Sequence, residues 1–203
     1  MINTIAYHDE KITPSKVICV GRNYVEHIKE LNNETPDTMV LFSKPNSAIT
    51  ATLEYIQEDC RFEGEICFLI KDKNIEGVGF GLDLTKAGIQ NKMKEKGLPW
   101  ERAKGFDKSA VLSEFVKFEG DIKTLEMKLY INATLAQHAT YDLMIYKPDK
   151  ILSEISSFMT LEDGDVIMSG TPKGVATYNR EDIFRGEIYV NSTLVIKEEF
   201  IVI

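Results

Sequence analysis

Between Arg61 and Ile70 the chain reads Arg-Phe-Glu-Gly-Glu-Ile-Cys-Phe-Leu-Ile, and this stretch constrains the fold more than any other. Side chains alternate faces along a strand, so Phe62, Ile66, Phe68 and Ile70 share one face while Glu63 and Glu65 share the other. Carboxylates two residues apart stand about 7 Å from each other and raise each other's pKa unless a positive group lies between them. Gly64 leaves room beside them, and the next strand-like run, Gly79 to Thr85, carries a third acid, Asp83. Three carboxylates without a nearby Cys or His favour a hard cation, Mg²⁺ or Mn²⁺, over zinc. The plainer alternative is a solvated polar face on an edge strand, and spacing by itself favours that one.

The rest of the chain is also rich in strands. Val17 to Val20 and Met39 to Phe42 read as short buried strands, and Thr124 to Asn132 alternates Leu125, Met127, Leu129 and Ile131 against polar neighbours. Glu187 to Val190 and Thr193 to Val202 flank Asn191-Ser192 as a hairpin would. Helices are expected over Lys86 to Lys96 and Lys150 to Met159, the second capped by Asp149. Strands and helices do not alternate regularly, so the expected class is α+β, dominated by antiparallel or mixed strands. At 203 residues, one domain spanning 1–203 is expected.

Composition narrows the function. A net charge of −8 and the lack of a dense basic run argue against nucleic acid as a partner. Cys19, Cys60 and Cys67 form no CxxC pair and no even disulfide framework, which suits reduced thiols. No apolar run approaches the ~20 residues needed to span a bilayer, and the first residues lack a basic stretch leading into an apolar one. The expectation is a cytoplasmic protein with no membrane partner.

Asn23 to Leu31 has helical spacing, with Asn23 as a candidate cap and Glu26 three residues on. His27 and Glu30 are then neighbours on one face, where a carboxylate fixes the imidazole tautomer and raises its basicity. An exposed surface pair is the commoner outcome of such spacing. The loop Ser169-Gly170-Thr171-Pro172-Lys173-Gly174 offers backbone NH groups and the Thr171 hydroxyl to a carboxylate, but it lacks the spacing of a phosphate loop. Gly77 to Gly81 likewise fails the dinucleotide pattern, and Ser169 is not in a nucleophile elbow. Lys104, by its own surroundings, reads as a surface loop lysine.

Taken in order, these segments resemble the fumarylacetoacetate hydrolase family, in its short acylpyruvate hydrolase and oxaloacetate decarboxylase branch. The colinear pieces are Gly21-Arg22-Asn23-Tyr24, Phe42-Ser43-Lys44-Pro45, Glu63-Gly64-Glu65, Leu82-Asp83-Leu84-Thr85, Trp100 to Asp107, and Gly164-Asp165-Val166-Ile167 through Gly170-Thr171-Pro172. The resemblance implies a rolled mixed β-sheet with a few short helices, a lid helix and a homodimer. It implies that Glu63, Glu65 and Asp83 hold Mg²⁺ or Mn²⁺, that His27 and Glu30 form a general acid/base dyad on the lid, and that Lys104 joins the catalytic group. Gln90 and Thr171 match substrate-contacting positions, and Arg22 leads into the lid. The implied reaction is cleavage of a C–C bond in a small 2-oxo acid, of acylpyruvate or fumarylpyruvate type, through a metal-bound pyruvate enolate. Oxaloacetate decarboxylation and 2-oxo-dienoate isomerisation or hydration are alternatives on the same site, and an inactive metal-binding homologue is the rival of another class. The chain departs from the pattern at Lys86-Ala87-Gly88, where the family commonly has Ala-Arg-Asp, and at Ala136, where arginine is frequent.

Overall fold

The computed structural model describes residues 2–25 and 38–203. A small antiparallel pair, β1 (Ile5–Tyr7) and β2 (Glu10–Ile12), precedes β3 (Lys16–Gly21), β4 (Val40–Pro45) and β5 (Ile49–Thr50). Next come β6 (Cys60–Phe62), β7 (Gly64–Lys71), β8 (Asn74–Asp83) and β9 (Thr85–Lys86), then helices α1 (Ala87–Glu95) and α2 (Glu101–Lys104). Two short strands, β10 (Ala110–Leu112) and β11 (Val116–Lys117), lead to the hairpin β12 (Glu126–Ile131) and β13 (Thr134–Thr140). The chain continues through α3 (Pro148–Ser156), β14 (Val166–Met168) and β15 (Ala176–Thr177), and ends in β16 (Ile183–Val190) and β17 (Thr193–Ile201).

The largest sheet runs β4-β3-β14-β7-β8-β10-β5, with β11 also on β8; β14 pairs parallel to β3 and antiparallel to β7. A four-stranded antiparallel sheet, β13-β12-β16-β17, packs its apolar side against it. The sheet is therefore mixed and curled, with few helices. Phe62, Ile66, Phe68 and Ile70 join the larger hydrophobic cluster together with Phe80, Met127, Leu129, Phe184 and Phe200. Cys67 and Leu69, from the other face of β7, join a second cluster with Val17, Leu112, Phe115 and Met168. Being covered on both faces and paired on both edges, β7 is a central strand, which removes the solvated edge as an account of Glu65. Burying each Phe in such a cluster contributes roughly 1.5–3 kcal/mol.

Close contact of the two layers depends on Gly186, where a Cβ would stand 2.3 Å from the Phe80 ring. The hairpin at Asn191-Ser192 forms with φ of 50° and 62°, the left-handed pair that matches strand twist.

Several local expectations change. The strand expected across Phe62 to Ile70 is broken at Glu63, because β6 pairs with β9 and β15 in a separate three-stranded sheet. Helix α3 starts at Pro148 with Lys147 as its cap residue, so Asp149 sits in the first turn, where a carboxylate suits the helix dipole, instead of capping. Helix α1 is capped from a distance: the Gly88 NH donates to Asp59 Oδ2 at 2.8 Å. The expected lid helix lies outside the described residues beyond Val25. Asn23, expected as its cap, has a buried amide that donates to the Ser169 and Tyr146 carbonyls and accepts from the Tyr146 NH. Cys19, Cys60 and Cys67 are all free and buried. Among the described residues, no helix is long and apolar enough to cross a membrane.

Candidate metal centre

At Glu63 the chain leaves the three-stranded sheet and enters β7 of the large one. Its carbonyl accepts from the Asp83 NH at 2.9 Å, which fixes the end of β8 beside it. Glu65, two residues on, faces Gly81 across the β7–β8 ladder. One oxygen from each of Glu63, Glu65 and Asp83 falls within 4.8 Å of the others. Glu65 and Asp83 are 2% and 0% exposed, so burial concentrates this negative charge where water screens it little.

Two lysines answer it. Lys104 Nζ lies 2.7 Å from Asp83 Oδ2, 3.1 Å from both Glu63 oxygens and 2.5 Å from Thr85 Oγ1. The Thr85 hydroxyl in turn donates to Glu63 Oε1 at 2.9 Å. Lys44, wholly buried in β4, places its ammonium 2.8 Å from Asp83 Oδ1 and donates to the carbonyls of Leu84 and Lys104. Burial alone would raise the Asp83 pKa, but Lys104 and Lys44 together hold it below the usual aspartate value. Burial also works against a charged Lys104, and Asp83 with Glu63 outweighs it, so this ammonium is held on more firmly than usual.

Three carboxylates thus meet two ammonium groups, and Glu65 is the one in excess. Burial, then Asp83 and Glu63, push its pKa well above the glutamate range; the Gly170 NH and Lys104 offset this only in part. Gly170 donates to Glu65 Oε2 at 2.6 Å. The glycine-flanked loop therefore binds a carboxylate through its backbone, and that carboxylate is the chain's own. The Thr171 hydroxyl donates to the Gly64 carbonyl at 3.0 Å and accepts from Gln137 Nε2 at 2.9 Å, while Gln137 Oε1 accepts from the Gly64 NH. These bonds clamp the backbone between the two glutamates. Among the described residues the donor set fits a hard divalent cation: all oxygen, closely spaced, one carboxylate in excess of the two lysines, and no Cys or His among the ligating atoms.

The structure gathers Glu63, Glu65, Asp83 and Lys104 into one cluster, with Thr171 behind it. Lys104, a surface lysine by its local sequence, is 3% exposed at the end of α2, because a buried acid pair draws it inward. Gln90 is half-buried in α1, and Arg22 follows β3 with φ of 58°. His27 and Glu30 lie outside the described residues. Three further residues join the cluster or its border without a role expected from sequence: Lys44, Gln137 and Tyr24. Lys44 lies two residues past the expected strand Met39 to Phe42, and its one signal is its place in the segment Phe42-Ser43-Lys44-Pro45 that carries the family resemblance. The Tyr24 hydroxyl is buried, finds no hydrogen-bond partner among the described residues, and feels the charge of Glu65. It adjoins a cavity of about 540 Å³ shared with Gln137, Ala136, Pro172 and Lys173.

Comparison with known proteins matches the Fumarylacetoacetate (FAA) hydrolase C-terminal model to residues 16–193. An oxaloacetate tautomerase of Escherichia coli is 38% identical over 187 residues, covering 83% of this chain and 85% of its own. A mitochondrial oxaloacetate tautomerase of Homo sapiens is 32% identical over 201 residues, covering 90% and 91%. Among solved structures, a protein of fumarylacetoacetate isomerase/hydrolase type from Oleispira antarctica superposes with a TM-score of 0.93 at 30% identity, covering all of both chains. Fumarylpyruvate hydrolase of Pseudomonas aeruginosa, in complex with Mn²⁺ and pyruvate, gives 0.88 at 25% identity, covering 100% of this chain and 96% of its own.

Proposed function

The chain belongs to the fumarylacetoacetate hydrolase family, and from that premise we propose that it is a divalent-metal-dependent enzyme acting on a small 2-oxo acid of the oxaloacetate type. The observation that carries this reading is the buried set Glu63, Glu65 and Asp83, with Glu65 left over after the two lysines have been counted. Glu63, Glu65 and Asp83 would hold a cation such as Mn²⁺ or Mg²⁺, which would supply a Lewis acid for the two oxygens of a 2-oxo carboxylate head. The chain's own groups do the rest. Lys104 is kept charged by Asp83 and Glu63, and with its donors engaged by Asp83, Glu63 and Thr85 it would act on an anionic substrate through its positive charge beside the acids. The Gly170 NH, the Thr171 hydroxyl and Gln137 fix the strand that carries Glu65, so the carboxylate does not reorganise during reaction. His27, with Glu30 beside it in helical spacing, is the group proposed to take a proton from the carbon next to the 2-oxo group.

Keto–enol interconversion of oxaloacetate is the preferred reaction, supported by the relatives at 38% and 32% identity. C–C bond hydrolysis of an acylpyruvate is the second reading, supported by the likeness to a fumarylpyruvate hydrolase. In that reaction the same His27–Glu30 pair would activate water instead. The test is to follow oxaloacetate enol loss and pyruvate release from acetylpyruvate in parallel, with Mn²⁺, with Mg²⁺ and with chelator, using Glu65→Gln as the control. Metal-dependent enol loss without pyruvate release supports tautomerisation, and release from acetylpyruvate supports hydrolysis. Activity that survives chelator or the Glu65→Gln change would sink the metal-centre reading.

A further inference from the structure

Phe42 and Trp100 form a short aromatic shelf beside the carboxylates, their ring centroids 6.1 Å apart and their planes tilted by 58°. Each ring carries a lysine. Lys104 Nζ, already bonded to Glu63 and Asp83, lies 4.9 Å from the Phe42 centroid. Lys94 Nζ, from the last turn of α1, lies 5.2 Å from the Trp100 centroid. The second ammonium thus stands one ring along the shelf from the first. No carboxylate among the described residues is within ion-pair distance of it. Among the described residues the charges that act on it are mostly cationic: burial lowers its pKa, Arg22, Lys104 and Arg61 lower it further, and Glu63 acts the other way. A cation held against a ring keeps its N–H donors for a partner on the open side, and a site crowded with like charges is relieved by an anion.

We propose that Lys94 is a specificity residue, reading an anionic group at the end of the substrate remote from the 2-oxo carboxylate head. This rests on the 2-oxo acid chemistry proposed for the carboxylate cluster. In that arrangement the head binds at the acids and Lys104, and the shelf sets the distance at which a second negative charge is received. A substrate with a neutral far end would gain nothing from Lys94. A purely structural lysine, packing its stem on Trp100, would be replaced by methionine without loss, because the stem survives the change.

The test uses the Mn²⁺-loaded full chain with oxaloacetate as substrate and oxalate as inhibitor; oxalate copies the two chelating oxygens of the head and has no group beyond it. K94M is expected to raise KM for oxaloacetate about tenfold, the scale of one lost charge-assisted hydrogen bond, with little change in kcat. Inhibition by oxalate should stay the same, and K94R should recover most of the loss in KM. An unchanged KM in K94M, or oxalate inhibition weakened in step with KM, would overturn the assignment. Wild-type protein that neither converts oxaloacetate nor responds to oxalate overturns the 2-oxo acid reading along with it; a normal wild type with an indifferent K94M overturns this inference alone.

Discussion

Lys104 Nζ stands 2.7 Å from Asp83 Oδ2, with the two side chains only 3% and 1% exposed. Removing one partner of a buried pair leaves the other charge uncompensated, which generally costs about 3–5 kcal/mol. Lys44 still serves the other Asp83 oxygen, so Lys104→Met is expected to lose less, about 2–4 kcal/mol, in chelator. Mn²⁺ should narrow the gap, since it neutralises the same acids. Urea denaturation with and without metal checks this; an identical loss in both would assign Lys104 to packing alone.

Glu65 gives a pH dependence with a definite sign. Its pKa in the folded protein is raised well above the ordinary glutamate value of 4.5, so below pH 4.5 both folded and unfolded chains carry the proton and its contribution is complete. As pH climbs, the unfolded chain releases the proton first, and the stabilisation fades as pH rises through the folded value. Metal-free protein should therefore lose stability as pH rises from 4.5 through the folded value, and Glu65→Gln should flatten the trend. Mn²⁺ competes with the same proton, so its affinity should tighten with rising pH. Thermal melts and calorimetric titrations across pH read both, and an affinity independent of pH would count against Glu65 as a ligand.

Tyr24 buries a hydroxyl without a partner among the described residues. An unsatisfied buried hydroxyl costs roughly 1–3 kcal/mol, so Tyr24→Phe should leave stability unchanged or raise it by about 1 kcal/mol. A fall in melting temperature would mean that the hydroxyl is bonded in solution.

Gly170 adopts a φ of +100°, and a Cβ there would meet Asn23 Cβ at 2.7 Å and the Val20 carbonyl at 3.0 Å. Gly170→Ala should cost about 1–3 kcal/mol through strain and also displace the NH that holds Glu65. Mn²⁺ affinity should fall with stability. Unaltered affinity would show that this NH does not position the carboxylate.

Much of the sheet was legible because alternation is a local property. The faces of β7 and β12 follow from their own residues, and Asn191-Ser192 marks a hairpin by its turn chemistry. The break at Glu63 was not legible, since it depends on β6 finding partners in β9 and β15, far away in sequence. Helix α3 starts at Pro148, two residues before the expected Lys150, because Pro148 takes the first helical position and Asp149 falls inside the first turn.

The sequence by itself determined which residues alternate, where the turns fall, and that Glu63 and Glu65 share a face with a third acid close by in the chain. Only the tertiary structure decided what surrounds them. Lys104 and Lys44 come from a helix end and a distant strand, and Gly170 and Gln137 from loops and strands about a hundred and about seventy residues beyond Glu65. Charge compensation in a buried site acts through space over a few ångströms, and no one-dimensional pattern encodes which cation the fold will bring there.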